Sequence, residues 1–476
     1  MCLLKRFILL VSLLVSFGVA GAVPDAVPEG LNRILKNFKT GLKGLSLYVS
    51  RVDQVSPWVT YQSRVPRNPG SVVKLLTAAS ALEKLGPAFT WKTEFYADKP
   101  PKDGHLRGPL YLKGYGDPYI TVERFWTAVQ ELRNAGIKHI HGDVVLDARY
   151  FRRSTVPADA FDGKGNRAYN VQPYALLVNF QSVRLRLSPG RKSVEVQAYP
   201  KVATLKIDNR LRLVKGRCGA WKYRIKIDSV ARPRQESLVL TGRYARGCGV
   251  KYMYRAVQDP ANYTAGLFIS LWRQQGGTIK GTFRNGRVPK AAKLLYSAPS
   301  LPLADIIRRI NKYSNNVMTR HVLLTVIAKS LSIPALESKG EQVVRQWLQQ
   351  QKIPASGFRL ENSAGLSRAT RISALQLGRA LKTVYRKSYM PELVSSLPIA
   401  GVDGTMADRR LTKASHGKMH LKTGLLDNVR SIAGYYLSPK GHRYVVVILH
   451  NHPVAHTRRG KQLQNRVLNW LYLHSP

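Results

Sequence analysis

Three short motifs occur in order along the chain, and their side chains are those needed for acyl transfer to a serine. The motifs are Ser71-Val72-Val73-Lys74, Ser314-Asn315-Asn316 and Lys422-Thr423-Gly424. A serine hydroxyl is a poor nucleophile unless a nearby base takes its proton, and residues three apart on a helix lie on the same face. Lys74 can therefore reach Ser71. The ordered trio predicts a serine acyl-transferase site.

The lysine of the first motif can act as a base only if it is neutral part of the time. Burial or a neighbouring cation would lower its pKa, and Lys422 could supply that positive charge. Ser314 could relay a proton, and Asn316 could hold the substrate through its side-chain amide. We therefore predict a catalytic group of five residues: Ser71, Lys74, Ser314, Asn316 and Lys422.

The third motif provides groups for the charged end of a peptide. Lys422 and Thr423 would bind its free carboxylate, and Gly424 would let the substrate backbone approach a strand closely. The backbone N–H groups of Ser71 and Leu425 would form an oxyanion hole, which stabilises the charge that develops on the attacked carbonyl oxygen.

Local sequence predicts the elements that position these motifs. Pro69-Gly70 interrupts regular secondary structure before Ser71, and the apolar stretch 75–82 favours a helix. Ser71 is therefore expected at a helix N-terminus, where free backbone N–H groups favour negative charge. The segment 419–425 is typical of a strand. The other elements predicted here are strands at 45–51 and 59–61, a hairpin of 431–436 and 443–449, and a helix at 458–473. Together they indicate an antiparallel sheet covered by helices.

Several further segments resemble those of a known family. They are 113–118, 142–147, 169–179, 361–368 and 397–406. Over nearly the whole chain after the first 22 residues, the sequence is similar to the D-Ala-D-Ala carboxypeptidase/endopeptidase family of class C low-molecular-mass penicillin-binding proteins. The resemblance implies an α+β fold with a transpeptidase/β-lactamase-like catalytic domain. It also implies serine DD-peptidase activity and acylation of Ser71 by β-lactam antibiotics.

Two positions depart from the family pattern, and one aspartate is expected to bind substrate. Ala364 stands where many members have serine, and Leu425 where serine or threonine is usual. The backbone N–H of Leu425 survives, so these changes bear on substrate fit and rate more than on class. Asp147 corresponds to an aspartate that, in the family, suits the amino group of a diaminopimelate side chain. A strand-end aspartate that forms a local turn is the alternative.

The interval between Ser71 and Ser314 is far longer than a catalytic helix needs to reach a neighbouring loop, so an insertion must lie between them. The family has a second domain at this place, interrupted in turn by a third. We predict a signal peptide at 1–22, a catalytic domain at 23–90 and 294–476, a second domain at 91–182 and 251–293, and a nested β-rich domain at 183–250.

The nested part has a strongly basic sequence. Between Lys201 and Arg255 there are 15 Lys and Arg against 3 Asp and Glu. Apolar and charged residues alternate from 221 to 228, which predicts a strand with one charged face. That face is interpreted either as a docking surface or as a merely solvated one.

The first 22 residues predict export. Lys5 and Arg6 precede an apolar run that ends at Ala20-Gly21-Ala22, which is typical of a secretory signal peptide. The run is short for a membrane span, so no transmembrane anchor is expected, with a retained anchor as the alternative. Cleavage would leave Cys218 and Cys248, which we predict to form a disulfide in an oxidising compartment. Two separate buried thiols are the alternative.

The net charge of +49 predicts anionic partners. Export makes nucleic acid an unsuitable partner and favours peptidoglycan, anionic lipid headgroups or lipopolysaccharide in the periplasm. A basic bias of the whole proteome is the alternative, because the charge is spread over every region.

The sequence thus predicts a periplasmic serine DD-peptidase with no metal or organic cofactor. It would act on peptidoglycan stem peptides as a carboxypeptidase if free D-Ala leaves, or on cross-links as an endopeptidase if a diaminopimelate leaves. Two other functions remain open: a wall-binding scaffold with a vestigial serine site, and a β-lactamase. A β-lactamase usually has a much shorter interval between its first two motifs.

Overall fold

A computed structural model describes residues 25–38, 42–331, 333–409 and 411–476. The predicted signal peptide at 1–22 lies outside the described residues. Within the described residues, no helix is both long enough and apolar enough to cross a bilayer.

The helices are α1 Glu29–Asn37, α2 Lys74–Leu85, α3 Val122–Asn134, α4 Pro260–Gln274, α5 Leu303–Tyr313, α6 Asn316–Ser330, α7 Gly340–Gln350, α8 Ala374–Tyr385, α9 Met390–Ser396 and α10 Arg458–His474. The strands are β1 Leu45–Arg51, β2 Val59–Tyr61, β3 Lys92–Ala97, β4 His105–Leu106, β5 Leu110–Gly114, β6 His139–Ile140, β7 Val144–Asp147, β8 Ser182–Pro189, β9 Val194–Tyr199, β10 Leu205–Arg217, β11 Ile225–Arg232, β12 Gln235–Gly247, β13 Lys251–Ala256, β14 Thr278–Ile279, β15 Phe283–Asn285, β16 Lys293–Pro299, β17 Met419–Leu426, β18 Val429–Leu437 and β19 Arg443–Asn451.

A five-stranded antiparallel sheet of order β17-β18-β19-β1-β2 carries the third motif. Successive side chains of β19 point to opposite faces: Val445 and Val447 pack in a core with α2 and α5 to α8, whereas Val446 and Ile448 pack in a second core with α1 and α10. Both faces are therefore buried. The predicted strands, the hairpin and the C-terminal helix are confirmed, as is the predicted sheet covered by helices.

The part of the chain between α2 and α5 forms further sheets. A mixed sheet of order β15-β7-β5-β3-β16 packs with α3 and α4, and three-stranded sheets have the orders β13-β8-β9, β10-β12-β11 and β14-β6-β4. The domain limits stay predictions. The sheet of β13, β8 and β9 contains strands from both sides of the predicted limit at 250, since Leu185 pairs with Met253.

One element of the nested part differs from its prediction. Trp221–Arg224 forms a 3₁₀ turn rather than the start of a strand, and Tyr223 is 94% exposed. Gly219 has a φ of +52°, and the N–H of Trp221 bonds back to its carbonyl, so the chain turns here before β11 begins at Ile225. Alternation continues within β11. The predicted disulfide between Cys218 and Cys248 is confirmed.

Candidate active site

The first motif lies at the start of α2, as predicted. Gly70–Val73 forms a 3₁₀ turn that leads directly into the helix at Lys74. Gly70 has a φ of +51°, a backbone conformation that glycine adopts without a steric penalty. Lys74 Nζ donates a hydrogen bond of 2.8 Å to Ser71 Oγ. The three-residue spacing thus brings the two side chains together.

Lys74 is fully buried and its hydrogen-bond acceptors are uncharged. Besides the Ser71 hydroxyl, Nζ contacts Asn316 Oδ1 at 2.8 Å and the carbonyl oxygen of Ala364. Burial lowers the pKa of Lys74 well below its usual value, and the positive charge of Lys422 lowers it further. A neutral amine next to the serine hydroxyl is the form that a general base requires.

The second motif lies in the bend between α5 and α6. Ser314 has a φ of +56°, which is unusual for a residue with a side chain, and Asn315 caps α6 by accepting a hydrogen bond from the N–H of Met318. The sharp bend places Ser314 and Asn316 beside different lysines. The amide of Asn316 bonds to Lys74 through Oδ1 and donates to the carbonyl of Tyr169 through Nδ2, at 3.2 Å, which fixes its orientation.

The third motif is on β17, an edge strand of the five-stranded antiparallel sheet. Lys422 is fully buried, and its Nζ donates to Ser314 Oγ at 2.9 Å and to the carbonyl of Thr423 at 2.8 Å. Burial lowers the pKa of Lys422 to about 7. The hydroxyl of Thr423 is within 2.8 Å of the hydroxyl of Thr405. Near neutral pH, the charge of Lys422 therefore depends on what binds beside it.

At Gly424 the chain passes very close to the backbone of Ser71. A Cβ atom on this residue would lie 2.6 Å from the carbonyl oxygen of Pro69 and 3.0 Å from the backbone nitrogen of Ser71. Glycine is thus required by the close approach of the two backbones. The same approach sets the next residue, Leu425, beside the start of α2, while its side chain is exposed.

The structure places Asp147 apart from the three motifs. It ends β7, and its buried carboxylate accepts hydrogen bonds from Arg149 Nε and Nη2, at 3.0 and 2.9 Å, and from the N–H of Val288 at 3.1 Å. Burial alone would raise the pKa of Asp147, but these bonds outweigh it and the pKa is lowered. The carboxylate lines a separate cleft of about 800 Å³ with Tyr150 and Phe151.

Three groups that contact the site were not predicted from the sequence. They are the carbonyl oxygens of Ala364 and Tyr169, which bond to Lys74 and Asn316, and the hydroxyl of Thr405. Backbone carbonyls leave no signal in residue type. Within the part of the chain that the structure describes, no cluster of His, Cys, Asp and Glu could hold a metal ion.

The site and the fold together define a serine acyl-transfer enzyme of the penicillin-binding class, with an α+β architecture. The chain belongs to the D-Ala-D-Ala carboxypeptidase 3 (S13) family, whose model matches residues 29–472. It is a serine-type DD-peptidase.

Known relatives match over most of their length. The chain is 27% identical over 402 residues to the D-alanyl-D-alanine carboxypeptidase of Actinomadura sp. strain R39, covering 81% of this chain and 73% of the relative. It is 25% identical over 381 residues to D-alanyl-D-alanine carboxypeptidase DacB of Haemophilus influenzae, covering 79% of each.

Solved structures show the same fold. The crystal structure of penicillin-binding protein 4 (DacB) from H. influenzae has a TM-score of 0.79 and 22% identity, covering 93% of this chain and 99% of that one. The same protein has been solved in complex with a β-lactam, with a TM-score of 0.76, 22% identity, and coverage of 94% of this chain and 100% of that one.

Proposed function

We propose that Ser71 is the nucleophile of this DD-peptidase and that Lys74 is its general base. The observation that carries the proposal is the 2.8 Å contact between Ser71 Oγ and a fully buried lysine amine whose acceptors are all neutral. Once Lys74 is neutral, its Nζ can accept the hydroxyl proton along the same contact. The Asn316 amide holds that amine in place.

The reaction has two steps. Ser71 Oγ attacks the carbonyl carbon of a D-Ala-D-Xaa bond while its proton passes to Lys74, and the backbone N–H groups of Ser71 and Leu425 hold the resulting oxyanion. The C–N bond then breaks, and the leaving amine takes the proton that Lys74 accepted, so Lys74 is neutral again; Ser314, which Lys422 contacts, is the proposed relay for this proton. Water then attacks the ester carbonyl and gives a proton to Lys74. The bond from the carbonyl carbon to Ser71 Oγ breaks, and Oγ takes that proton back as the carboxylic acid product leaves.

Lys422 and Thr423 would bind the C-terminal carboxylate of the substrate. A carboxylate beside the Lys422 amine favours its protonated form, and the adjacent hydroxyls of Thr423 and Thr405 can donate hydrogen bonds to the same group. Both a stem peptide that loses free D-Ala and a β-lactam have an acyl donor and a carboxylate, so both could bind in this way. Gly424 lets the substrate backbone lie along β17.

Asp147 remains the proposed site for the amino group of a diaminopimelate. Its ion pair with Arg149 has to open, or a substrate ammonium has to join it, for this role to hold. An Asp147→Asn variant separates the alternatives: loss of activity on diaminopimelate stems, with unchanged activity on stems whose third residue has no side-chain amino group, supports binding. A variant that loses no activity on either stem, or loses the same factor on both, would assign Asp147 to local structure alone.

The enzyme is proposed to act in the periplasm, where the predicted signal peptide would direct it, and to bind anionic envelope polymers. Support comes from β10 and β12, where exposed Arg212 and Arg243 are directly paired in register. Like charges placed opposite each other destabilise a sheet, and an anionic polymer would relieve that repulsion.

Labelling with fluorescent penicillin tests the nucleophile. The wild type should form a covalent adduct and release D-Ala from muropeptides, and Ser71→Ala should do neither. Ser415→Ala is a matched control, because Ser415 also precedes a lysine by three residues but bonds to Thr412 and Asn469. Labelling that persists in Ser71→Ala would refute the assignment, and rapid turnover of a chromogenic cephalosporin would indicate a β-lactamase.

A further inference from the structure

The sheet of β13, β8 and β9 has one face in the core and one face in solvent. Val183, Leu185 and Leu187 of β8 are buried, and the alternate residues Arg184 and Arg186 point to the other side. The cross-strand neighbours of Arg184 are Tyr254 on β13 and Tyr199 on β9. Residues paired in register lie on the same face, so the open face is aromatic and basic.

The aromatic rings and the guanidinium on this face contact one another. The Arg184 guanidinium lies 5.5 Å from the ring centre of Tyr199 and 5.3 Å from that of Tyr252. Both are cation–π distances. The guanidinium thus contacts both rings, and a ligand on this face would meet aromatic and cationic groups together.

The rings are nevertheless largely open to solvent. Tyr199, Tyr252 and Tyr254 are 55%, 51% and 62% exposed. A contiguous patch of large rings at a protein surface marks an interaction site more often than single exposed residues do. Core packing accounts for the opposite face of the sheet and not for this one.

The same face lines a cleft that also reaches two residues of the second motif. This cleft of about 490 Å³ is lined by Arg184, Tyr199 and Tyr254 together with Ser314 and Asn316. Ser314 and Asn316 bond to the two buried lysines of the active site. A ligand on the aromatic face can therefore be continuous with a peptide that reaches Ser71.

We propose that this face is a saccharide subsite, which binds the sugar that carries the stem peptide while the D-Ala bond lies at Ser71. The inference rests on the proposed function and names the part of the substrate that the cleft recognises. The C–H groups of a sugar ring pack on the negatively polarised face of a tyrosine ring, and Arg184 donates hydrogen bonds to sugar oxygens. A five-residue stem spans at most about 17 Å, so its sugar lies within about that distance of the bond at Ser71.

The test compares two substrates that differ only in the sugar. One is a disaccharide pentapeptide, and the other is the same pentapeptide without the disaccharide. The double variant Tyr199→Ala/Tyr254→Ala should lower kcat/KM about tenfold for the first substrate, mainly through KM, and leave the second unchanged. Arg184→Gln, which keeps both rings, should lower the same ratio about threefold.

Tyr223→Ala is the matched control, since this tyrosine is exposed on a different element and lies outside the cleft. It should leave both substrates unaffected. The rate of penicillin acylation should stay at the wild-type value in every variant, which shows that the active site is folded.

Two results would overturn the subsite. One is an equal loss on the substrate with and without sugar, which would mean that the face contacts peptide. The other is no loss on either. Failure of the proposed function would be distinct, because the wild type would then neither label with penicillin nor cleave the sugar-free pentapeptide.

Discussion

The proposed catalytic centre and the sheet of β10, β12 and β11 both contain pairs of cationic side chains, but in opposite environments. Lys74 and Lys422 are fully buried among neutral acceptors, and burial lowers the pKa of both. Arg212 and Arg243 are exposed and face each other across the nested sheet. Water screens the second pair, whereas the interior amplifies every interaction of the first.

The difference shows that residue type does not fix what a cation does. A third case, Lys312 at the end of α5, is buried like Lys74 and Lys422, yet it has a carboxylate partner, Asp403, at 2.5 Å. The carboxylate compensates for the desolvation of this amine, and a lysine paired in this way serves structure. Lys74 and Lys422 each lie beside a serine hydroxyl instead, an arrangement that suits proton transfer.

The largest effect is expected from Lys74→Met, which keeps the volume of the side chain and removes the amine. Loss of a general base should lower the rate of penicillin acylation by about 10³-fold. Stability should be unchanged or higher, because a buried amine is costly to desolvate. Stopped-flow acylation and thermal unfolding measure the two quantities. A rate within tenfold of the wild type would assign the base to another group.

Asp403→Asn should have the next largest effect, on stability. It leaves the buried Lys312 amine without its carboxylate, at a cost of about 2 kcal/mol for a pair that is part-exposed on the acid side. Urea unfolding measures the change. Asp208→Asn breaks an exposed ion pair with Arg210 in the nested sheet and is the control, with no measurable change expected. An equal loss of stability in the two variants would contradict the difference drawn between buried and exposed ion pairs.

The dependence of kcat/KM on pH should report the protonation of the buried Lys422. Its pKa of about 7 means that the free enzyme loses this charge as the pH rises above 7, so kcat/KM for a peptide with a free carboxylate should fall about fivefold between pH 7 and 8. The C-terminal amide of the same peptide should lack this alkaline limb. An identical limb for both peptides would show that Lys422 does not act through the carboxylate.

The smallest effect on the enzyme itself is expected from Arg212→Gln/Arg243→Gln. Acylation should be unchanged, because both side chains are exposed. Resistance to unfolding should be unchanged or slightly higher, because the variant removes two like charges that face each other. Binding to vesicles that contain phosphatidylglycerol should weaken, and less so at high salt, where screening already reduces attraction. Unchanged binding at low salt would exclude these residues from the anionic surface.

Much of the catalytic group could be predicted from the sequence because its geometry is local. Ser71 and Lys74 share one turn of helix, and the strand of Lys422 and Gly424 follows from residue pattern alone. The roles of these residues stay proposals. The turn at Trp221–Arg224 was predicted as a strand, since the alternation of residues 221 to 228 gave no sign of the bend that begins at Gly219.

The sequence by itself determined the class of protein, the order of the motifs and the elements that carry them, because helix and strand periods act over a few residues. Only the tertiary structure decided how these motifs meet. The Ala364 carbonyl at Lys74, the burial that lowers the lysine pKa values and the aromatic face around Arg184 all join segments distant in the chain. Burial and electrostatic interaction depend on everything packed nearby, which a local pattern does not contain.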